Sequence, residues 1–355
     1  MTAISVLTQN LSGLYERAGY KKYKMRKFEE YSLYLENKNF LTSEYVITFN
    51  DLSGRLLALK PDVTLSIVKN TNAALNASEK LYYTESVYRL DARSHEYKEI
   101  HQMGLEMLGD IDEAATLEIL LLALQSLEAS GMDFALDISH MGILEPLLED
   151  AAGQNLSLKE QLIACIKSKN LHDMRQICMQ AGLVSEKADR LYAAASVSGD
   201  FEEGLRLLTE LNFPAIKSAL EELRTLYDGL NACGKAQNIR LDLSIVNDVS
   251  YYNGIVFQGY LSGVHRHILS GGRYDHLAEK FRTGIGAMGF AVYLSDLTFS
   301  APGPAYDCDI VLHYGASVPA ARILQEAETL RAAGRTVRIE RHIPAGLKYK
   351  EIKEI

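Results

Sequence analysis

Two separated stretches of this 355-residue chain carry side chains able to hold a small polar ligand. The first reads Val87-Tyr88-Arg89 and then Ile100-His101-Gln102-Met103-Gly104-Leu105-Glu106. The second reads Ser250-Tyr251-Tyr252-Asn253 and then Ser270-Gly271-Gly272-Arg273-Tyr274-Asp275. Side chains alternate along a strand, so a strand over 98–109 puts Gln102, Gly104 and Glu106 on one side and Met103, Leu105 and Met107 on the other. Glu106 can hold a cationic group and Gln102 can donate or accept. The bare backbone at Gly104 leaves room for a small ligand to lie flat between them. The competing reading of the same alternation is an amphipathic surface strand with its polar side in water.

The elements needed to position these residues are legible in outline. Leu7 to Ala18 has the spacing of a short amphipathic helix. Tyr45 to Phe49 and Gly54 to Lys60 read as strands joined by the turn-rich Asn50-Asp51-Leu52-Ser53. Leu81 to Arg89 and Lys98 to Leu108 form an antiparallel pair. Leu117, Leu120, Leu121, Leu124 and Leu127 then follow a helical period between a capping Asp112 and a terminating Gly131, and Phe134 to Ile138 returns to strand. From 144 to 235 nearly everything reads as helix, punctuated by Gly182, Gly199 and Asn212-Phe213-Pro214, as an insertion between the two halves of the pocket. Strands resume at Ile239 to Ile245, Gly254 to Tyr260 and Val264 to Leu269. A helix at Tyr274 to Arg282 and a glycine-rich strand-to-helix turn at Gly284 to Leu294 close this part.

This is an α+β pattern, an antiparallel sheet flanked by helices, and not a βαβ series. Residues 1–299 form its core and 300–305, with Pro302, Gly303 and Pro304, a linker. Residues 306–355 form a shortened α/β domain, read as one β-α-β unit over Cys308 to Tyr314, Ala320 to Ala333 and Thr336 to Glu340.

Segments 46–109 and 245–297 resemble the catalytic core of histidyl-tRNA synthetase, a class II synthetase, and of its non-synthetase relative, the regulatory subunit of ATP phosphoribosyltransferase. The resemblance rests on four blocks in the same order: Arg55 to Thr64, the motif 2-like stretch around Arg89, Ser250 to Asn253, and Gly271 to Asp275. It implies a class II antiparallel fold and a histidine-like pocket made by Asp62, Thr64, Arg89, Gln102, Glu106, Tyr251, Tyr252, Gly271 and Gly272. It also separates the two relatives. Moving charge onto a pyrophosphate leaving group needs cations, and the synthetase supplies arginines where this chain has Asn247 and Asp296. Glu96 stands in a loop that is basic in the synthetase, and Arg26 replaces the motif 1 proline. The resemblance therefore implies a catalytically silent regulatory subunit. Its partner would be the short-form ATP phosphoribosyltransferase catalytic subunit, joined as a homodimer within a hetero-oligomer, with histidine as effector. The alternative is a divergent histidyl-tRNA synthetase.

Composition agrees with this expectation. The 37 basic and 46 acidic residues leave a net charge of -9, and no Lys/Arg-dense block with interleaved aromatics is read in the chain, which disfavours tRNA as a partner. Cys165, Cys178, Cys233 and Cys308 are too scattered for a zinc site or a disulfide framework, so neither metal nor cofactor is expected. No apolar run approaches the ~20 residues that span a bilayer, and the expectation is a cytoplasmic protein with no membrane contact. Three motifs are set aside. Gly284-x-Gly286-x-x-Gly289 matches a dinucleotide fingerprint but follows a helix. His265 and His267 share a strand face without a third ligand, and Ser139-His140 is only a sequence adjacency. Arg273 and Asp275 are expected to pair with each other, stabilising a turn beyond Gly271-Gly272.

Overall fold

The computed structural model describes residues 3–38, 45–71, 78–91, 94–246, 251–282, 284–297 and 306–355. The expected linker at 300–305, Asn247 and Ser250 lie outside these residues. Contacts divide the chain into two compact units, a large one spanning Leu7–Thr298 and a smaller one that holds the C-terminal strands.

In chain order the large unit begins with α1 (Ala3–Arg17), β1 (Lys21–Lys22), β2 (Phe28–Glu30), α2 (Tyr31–Glu36), β3 (Thr48–Asn50), β4 (Leu56–Leu59) and α3 (Thr64–Asn70). Next come β5 (Glu79–Leu90), β6 (Tyr97–Gly109), α4 (Glu113–Glu128) and β7 (Phe134–His140). The inserted region holds α5 (Met141–Ala152), α6 (Leu156–Lys167), α7 (Leu171–Gln180), α8 (Ser185–Ala195), β8 (Ser198–Asp200), α9 (Phe201–Glu210) and α10 (Lys217–Ala232). The unit ends with β9 (Ile239–Asp242), β10 (Ile255–Leu261), β11 (Leu269–Arg273), α11 (Asp275–Phe281) and β12 (Gly286–Tyr293).

Nine strands form one sheet in the order β1-β5-β6-β12-β11-β10-β7-β9-β8, antiparallel except at β1-β5 and β7-β9. Long β5 and β6 pair from Glu79↔Leu108 to Leu90↔Tyr97, which places Arg89 near the turn of the hairpin and Glu106 deep inside the sheet. The helix α4 starts where its cap predicts, with Asp112 accepting from the Ala115 amide at 2.8 Å. Its leucines pack beneath the sheet, and Leu127 occupies the space where a side chain on Gly259 would stand.

Three strand assignments are corrected. The strand expected over 264–269 begins only at Leu269 and runs to Arg273, because Gly271-Gly272 is paired on both edges, to Phe257 and Val256 of β10 and to Phe290 and Gly289 of β12. His265 and His267 thus fall in the preceding turn and not on a shared strand face, and no metal-ligating cluster exists among the described residues. The segment read as a strand-to-helix turn, 284–294, is the interior strand β12. Gly284 does sit in a turn before the strand, but Gly289 serves packing: an alanine Cβ there would stand 1.9 Å from Glu106 Oε2 and 2.3 Å from the Leu105 carbonyl. The insertion is helical as expected except for β8, which adds an edge strand to the sheet through Ser198↔Asp242 and Gly199↔Leu241.

The smaller unit carries β13 (Cys308–His313), α12 (Ala320–Ala332), β14 (Val337–Glu340) and β15 (Tyr349–Glu354) in a parallel sheet of order β14-β13-β15. The β-α-β reading is therefore one strand short. Its Lys350, Glu351, Lys353 and Glu354 hide β15 from a hydrophobicity pattern, because an edge strand is kept from aggregating by exposed charge.

Candidate functional site

Gln102, Gly104 and Glu106 do face one way, but that way is not toward water. Gln102 is 3% exposed and Glu106 2%, so the surface-strand reading fails and the polar side of β6 is buried. Glu106 Oε1 accepts from the Thr64 hydroxyl at 2.7 Å and Oε2 from the Tyr274 hydroxyl at 2.5 Å. Thr64 opens α3, whose first turn is anchored by Asp62 Oδ1 accepting the Leu65 amide at 2.9 Å. The other Asp62 oxygen lies 3.4 Å from Arg89 Nη2, and Arg89 Nε donates to the Pro61 carbonyl at 2.7 Å. One short helix start therefore ties the carboxylate of β6 to the guanidinium of β5.

Tyrosines enclose this cluster. Tyr251 and Tyr252 meet edge to face at 4.5 Å between ring centres, and Tyr274 lies 5.7 Å from Tyr251. Tyr83 approaches Gly104 from β5: a side chain at Gly104 would stand 2.6 Å from the Tyr83 hydroxyl. The space above Gly104 is thus occupied by a phenol, which corrects the expectation that a ligand lies flat there. Gly272 is similarly roofed by the Tyr252 ring, 2.6 Å from where its Cβ would be. Gly271 falls on the opposite face, against Phe257 and Phe290, because neighbours on a strand point opposite ways. It is not part of the pocket.

Of the expected site residues, the structure gathers Asp62, Thr64, Arg89, Glu106, Tyr251 and Tyr252 into one cluster. Gln102 lines the same face with its Oε1 buried and without a hydrogen-bond partner among the described residues. Tyr83 and Tyr274 were missed as pocket residues. The signal for Tyr274 was present, since it directly follows Gly272-Arg273 in the same block; Tyr83 becomes visible only through its pairing with Gly104. Arg273 and Asp275 pair at 2.7 Å as expected, and Asp275 also accepts from Asn253 Nδ2 and the Ala287 amide, each at 2.9 Å. A separate cavity of about 370 Å³, lined by Ser78, Lys80, Met107, Asp110, Asp112 and Glu118, lies on the other side of the sheet from Glu106, and its cation Lys80 is already paired with Glu118 at 2.7 Å.

The electrostatics follow from burial. Desolvation pushes the Glu106 carboxyl up to about 8, against the two hydroxyl hydrogen bonds that favour its anion. Asp62 is raised for the same reason, its Arg89 partner working the other way. Burial likewise holds Tyr83, Tyr251, Tyr252 and Tyr274 neutral, well above the ordinary phenol range. The cluster therefore holds a near-neutral carboxylic acid beside the Asp62–Arg89 ion pair.

Because the Glu106 group binds its proton more tightly folded than unfolded, its contribution is full below about 4.5 and is lost as pH rises through about 8. Thermal melts of the chain between pH 5 and 9 are expected to fall with pH, and the Glu106→Gln variant, which cannot ionise, should show a flatter profile. Parallel profiles for the two proteins would remove Glu106 as the titrating group.

Asp296 ends the short turn after β12 and its carboxylate lies 3.2 Å from Arg266 Nη1. Arg266 offsets part of its charge at the surface. Glu96 is exposed, while Lys98 is paired with Asp91.

The profile of the family described as histidyl-tRNA synthetase matches residues 1–297 of the chain. Two relatives, from Moorella thermoacetica and Symbiobacterium thermophilum, both bear the name ATP phosphoribosyltransferase regulatory subunit. The first is 30% identical over 94% of this chain and 87% of its own length, the second 31% identical over 95% and 87%. Among solved structures, an ATP phosphoribosyltransferase regulatory subunit/histidyl-tRNA synthetase from Bacillus halodurans superimposes with a TM-score of 0.81 at 24% identity, covering 99% of this chain and 93% of that one. The ATP phosphoribosyl transferase (HisG:HisZ) complex from Thermotoga maritima shares the fold at a TM-score of 0.65 and 19% identity, covering 82% and 97%. The α+β class II-like architecture expected from sequence is the architecture of these structures.

Proposed function

Given that the chain belongs to the histidyl-tRNA synthetase family, as one of its ATP phosphoribosyltransferase regulatory subunits, we propose that it activates a short-form phosphoribosyltransferase and conveys feedback by histidine to it. It is a non-catalytic subunit; the phosphoribosyl transfer is carried out by its partner. The observation that carries the reading is the split between the two halves of the site. Asp62, Thr64, Arg89, Glu106, Tyr251 and Tyr252 stay assembled in one cluster, while Asp296 stands where the resemblance expects a phosphate-holding arginine.

In this reading histidine brings an ammonium or imidazolium to Glu106 and a carboxylate toward Arg89. Such a ligand can regulate only if it binds two assembly states with different affinity, so the pocket must change with assembly. The homodimer within a hetero-oligomer, histidine as effector, the exclusion of tRNA and the cytoplasmic setting all belong to this proposal. Among the described residues no helix is long and apolar enough to cross a membrane.

The divergent-synthetase reading has one observation in its favour, Arg266 beside Asp296, which places a cation where the synthetase needs one. Two assays separate the readings. Mixing the chain with a short-form catalytic subunit is expected to speed formation of phosphoribosyl-ATP and to make that rate sensitive to histidine. The chain alone is expected to show no histidine-dependent ATP-pyrophosphate exchange above an inactive-protein control. Exchange without any effect on the transferase would reverse the assignment.

A further inference from the structure

The chain between Asp242 and Gly254 carries Tyr251 and Tyr252, and the helical insertion holds it at both ends. At the first end Asp242 is buried. Its Oδ1 accepts from the Ser244 amide at 2.9 Å and the Ser244 hydroxyl at 2.6 Å, and Ile245 and Val246 after them are buried. Its Oδ2 turns to the insertion, accepting from Lys169 Nζ at 2.7 Å and from the Ser198 hydroxyl at 3.0 Å. Beside them the Leu243 amide donates to the Val197 carbonyl at 3.1 Å. Lys169 sits in the turn between α6 and α7 at φ +53°, a backbone conformation that glycine takes at no steric cost. A lysine there accepts the strain, and its ammonium is what reaches Asp242.

At the second end His140 closes β7 and caps α5. Its Nδ1 accepts from the Gly142 amide at 2.9 Å, so the proton of the ring sits on Nε2, which donates to Glu222 Oε2 of α10 at 3.1 Å. That bond holds the Glu222 carboxyl below the usual carboxylate range. Met141, the next residue, donates its amide to the Gly254 carbonyl at 2.9 Å. Asn253, just before Gly254, is fixed by two bonds to Asp275, and the ring of Tyr252 lies over Gly272.

The insertion is braced within itself. Asp150 of α5 takes Arg190 and Lys187 of α8 at 2.7 and 3.0 Å, and α10 lies on α4, where Gly229 leaves room for Leu117. The hydroxyls that hold Glu106, from Thr64 and Tyr274, both come from outside the insertion. What the insertion grips is the two ends of the tyrosine-bearing segment. A segment gripped at both ends moves with what grips it, because packed contacts switch between discrete arrangements and do not stretch.

We propose that Asp242 and His140 are positioning residues through which the helical insertion sets the pose of Tyr251 and Tyr252. Histidine bound against these tyrosines then steadies the insertion, and a displaced insertion loosens histidine by the same factor. This rests on the functional reading above, which requires a pocket that changes with assembly, and it names the element that carries the change.

The measurement is hydrogen–deuterium exchange of the full chain with and without saturating histidine, together with calorimetric histidine affinity. Lys169→Met and Glu222→Ala cut the two ties from the insertion side, at side chains that are partly in water. They are made singly and combined, so that a combined variant too unstable to read is replaced by the single ones. Glu222→Gln keeps an oxygen that accepts from His140. In the parent, histidine is expected to slow exchange at 251–254 and also along α10 and the α6–α7 turn. The combined variant should bind histidine about fivefold more weakly or worse and lose the slowing in the insertion, while Glu222→Gln should behave as the parent does.

If histidine binds the parent but slows exchange in the pocket segments alone, or if the variants keep both the affinity and the response of the insertion, the inference fails while the functional reading stands. If the parent binds no histidine, both fail. If even the single variants exchange faster throughout the chain, with or without histidine, these contacts only hold the fold and the positioning role falls.

Discussion

Histidine titrated calorimetrically into the Glu106→Ala variant is expected to bind one to two orders of magnitude more weakly than to the parent chain. A charge-assisted hydrogen bond contributes about 1.5–3 kcal/mol, and Glu106 is the buried carboxylate best placed to accept one from an incoming cation. Arg89→Ala should act in the same direction and also destabilise the fold, since it leaves Asp62 buried without its 3.4 Å partner. The loss at Glu106 should come with proton release in the parent. Since burial pushes that group up to about 8, binding a cation beside it lowers its affinity for the proton, and the heat of binding at pH 7 should depend on the ionisation enthalpy of the buffer. Glu106→Gln keeps the shape and should lose both the affinity and the buffer dependence. Unchanged affinity in the Glu106 and Arg89 variants would place histidine elsewhere and leave the pocket as a structural relic.

Gly289→Ala is expected to destabilise the chain by about 3 kcal/mol or more, at the upper end for overpacking a core. The added methyl would meet Glu106 Oε2 at 1.9 Å and the Leu105 carbonyl at 2.3 Å. The carboxylate could swing away only by abandoning Thr64 and Tyr274, and the carbonyl belongs to the neighbouring strand and cannot move without breaking the β6-β12 ladder. Gly104→Ala should behave alike, with the Phe290 carbonyl at 2.3 Å, whereas Gly315→Ala, with nothing near it, should be silent. Urea unfolding of the three variants checks this. A Gly289→Ala protein within 1 kcal/mol of the parent would mean that β12 is not held against β6 as described.

Local signals were sufficient for much of the architecture. The alternation in β5 and β6, the Asp112 cap, the helical punctuation of the insertion and the Arg273–Asp275 pairing depend on neighbours within a few residues, and all four are present in the structure. Site residue types were legible for the same reason: Glu106, Gln102 and Arg89 are polar groups where a strand pattern demands apolar ones. What a residue faces across the sheet is decided by partners far along the chain, and there local reading failed. Gly284 to Leu294 looks like a turn until β6 and β11 flank it, because a glycine needed for packing and one needed for a turn are the same letter. Gly104 looks like room for a ligand until Tyr83 is laid opposite, and β15 shows no pattern because its charges serve an edge. Most of all, only the tertiary structure could show that the Glu106 carboxyl is sealed from water with two hydroxyl groups for company, since desolvation is a property of everything packed around a group and not of the residues beside it in sequence.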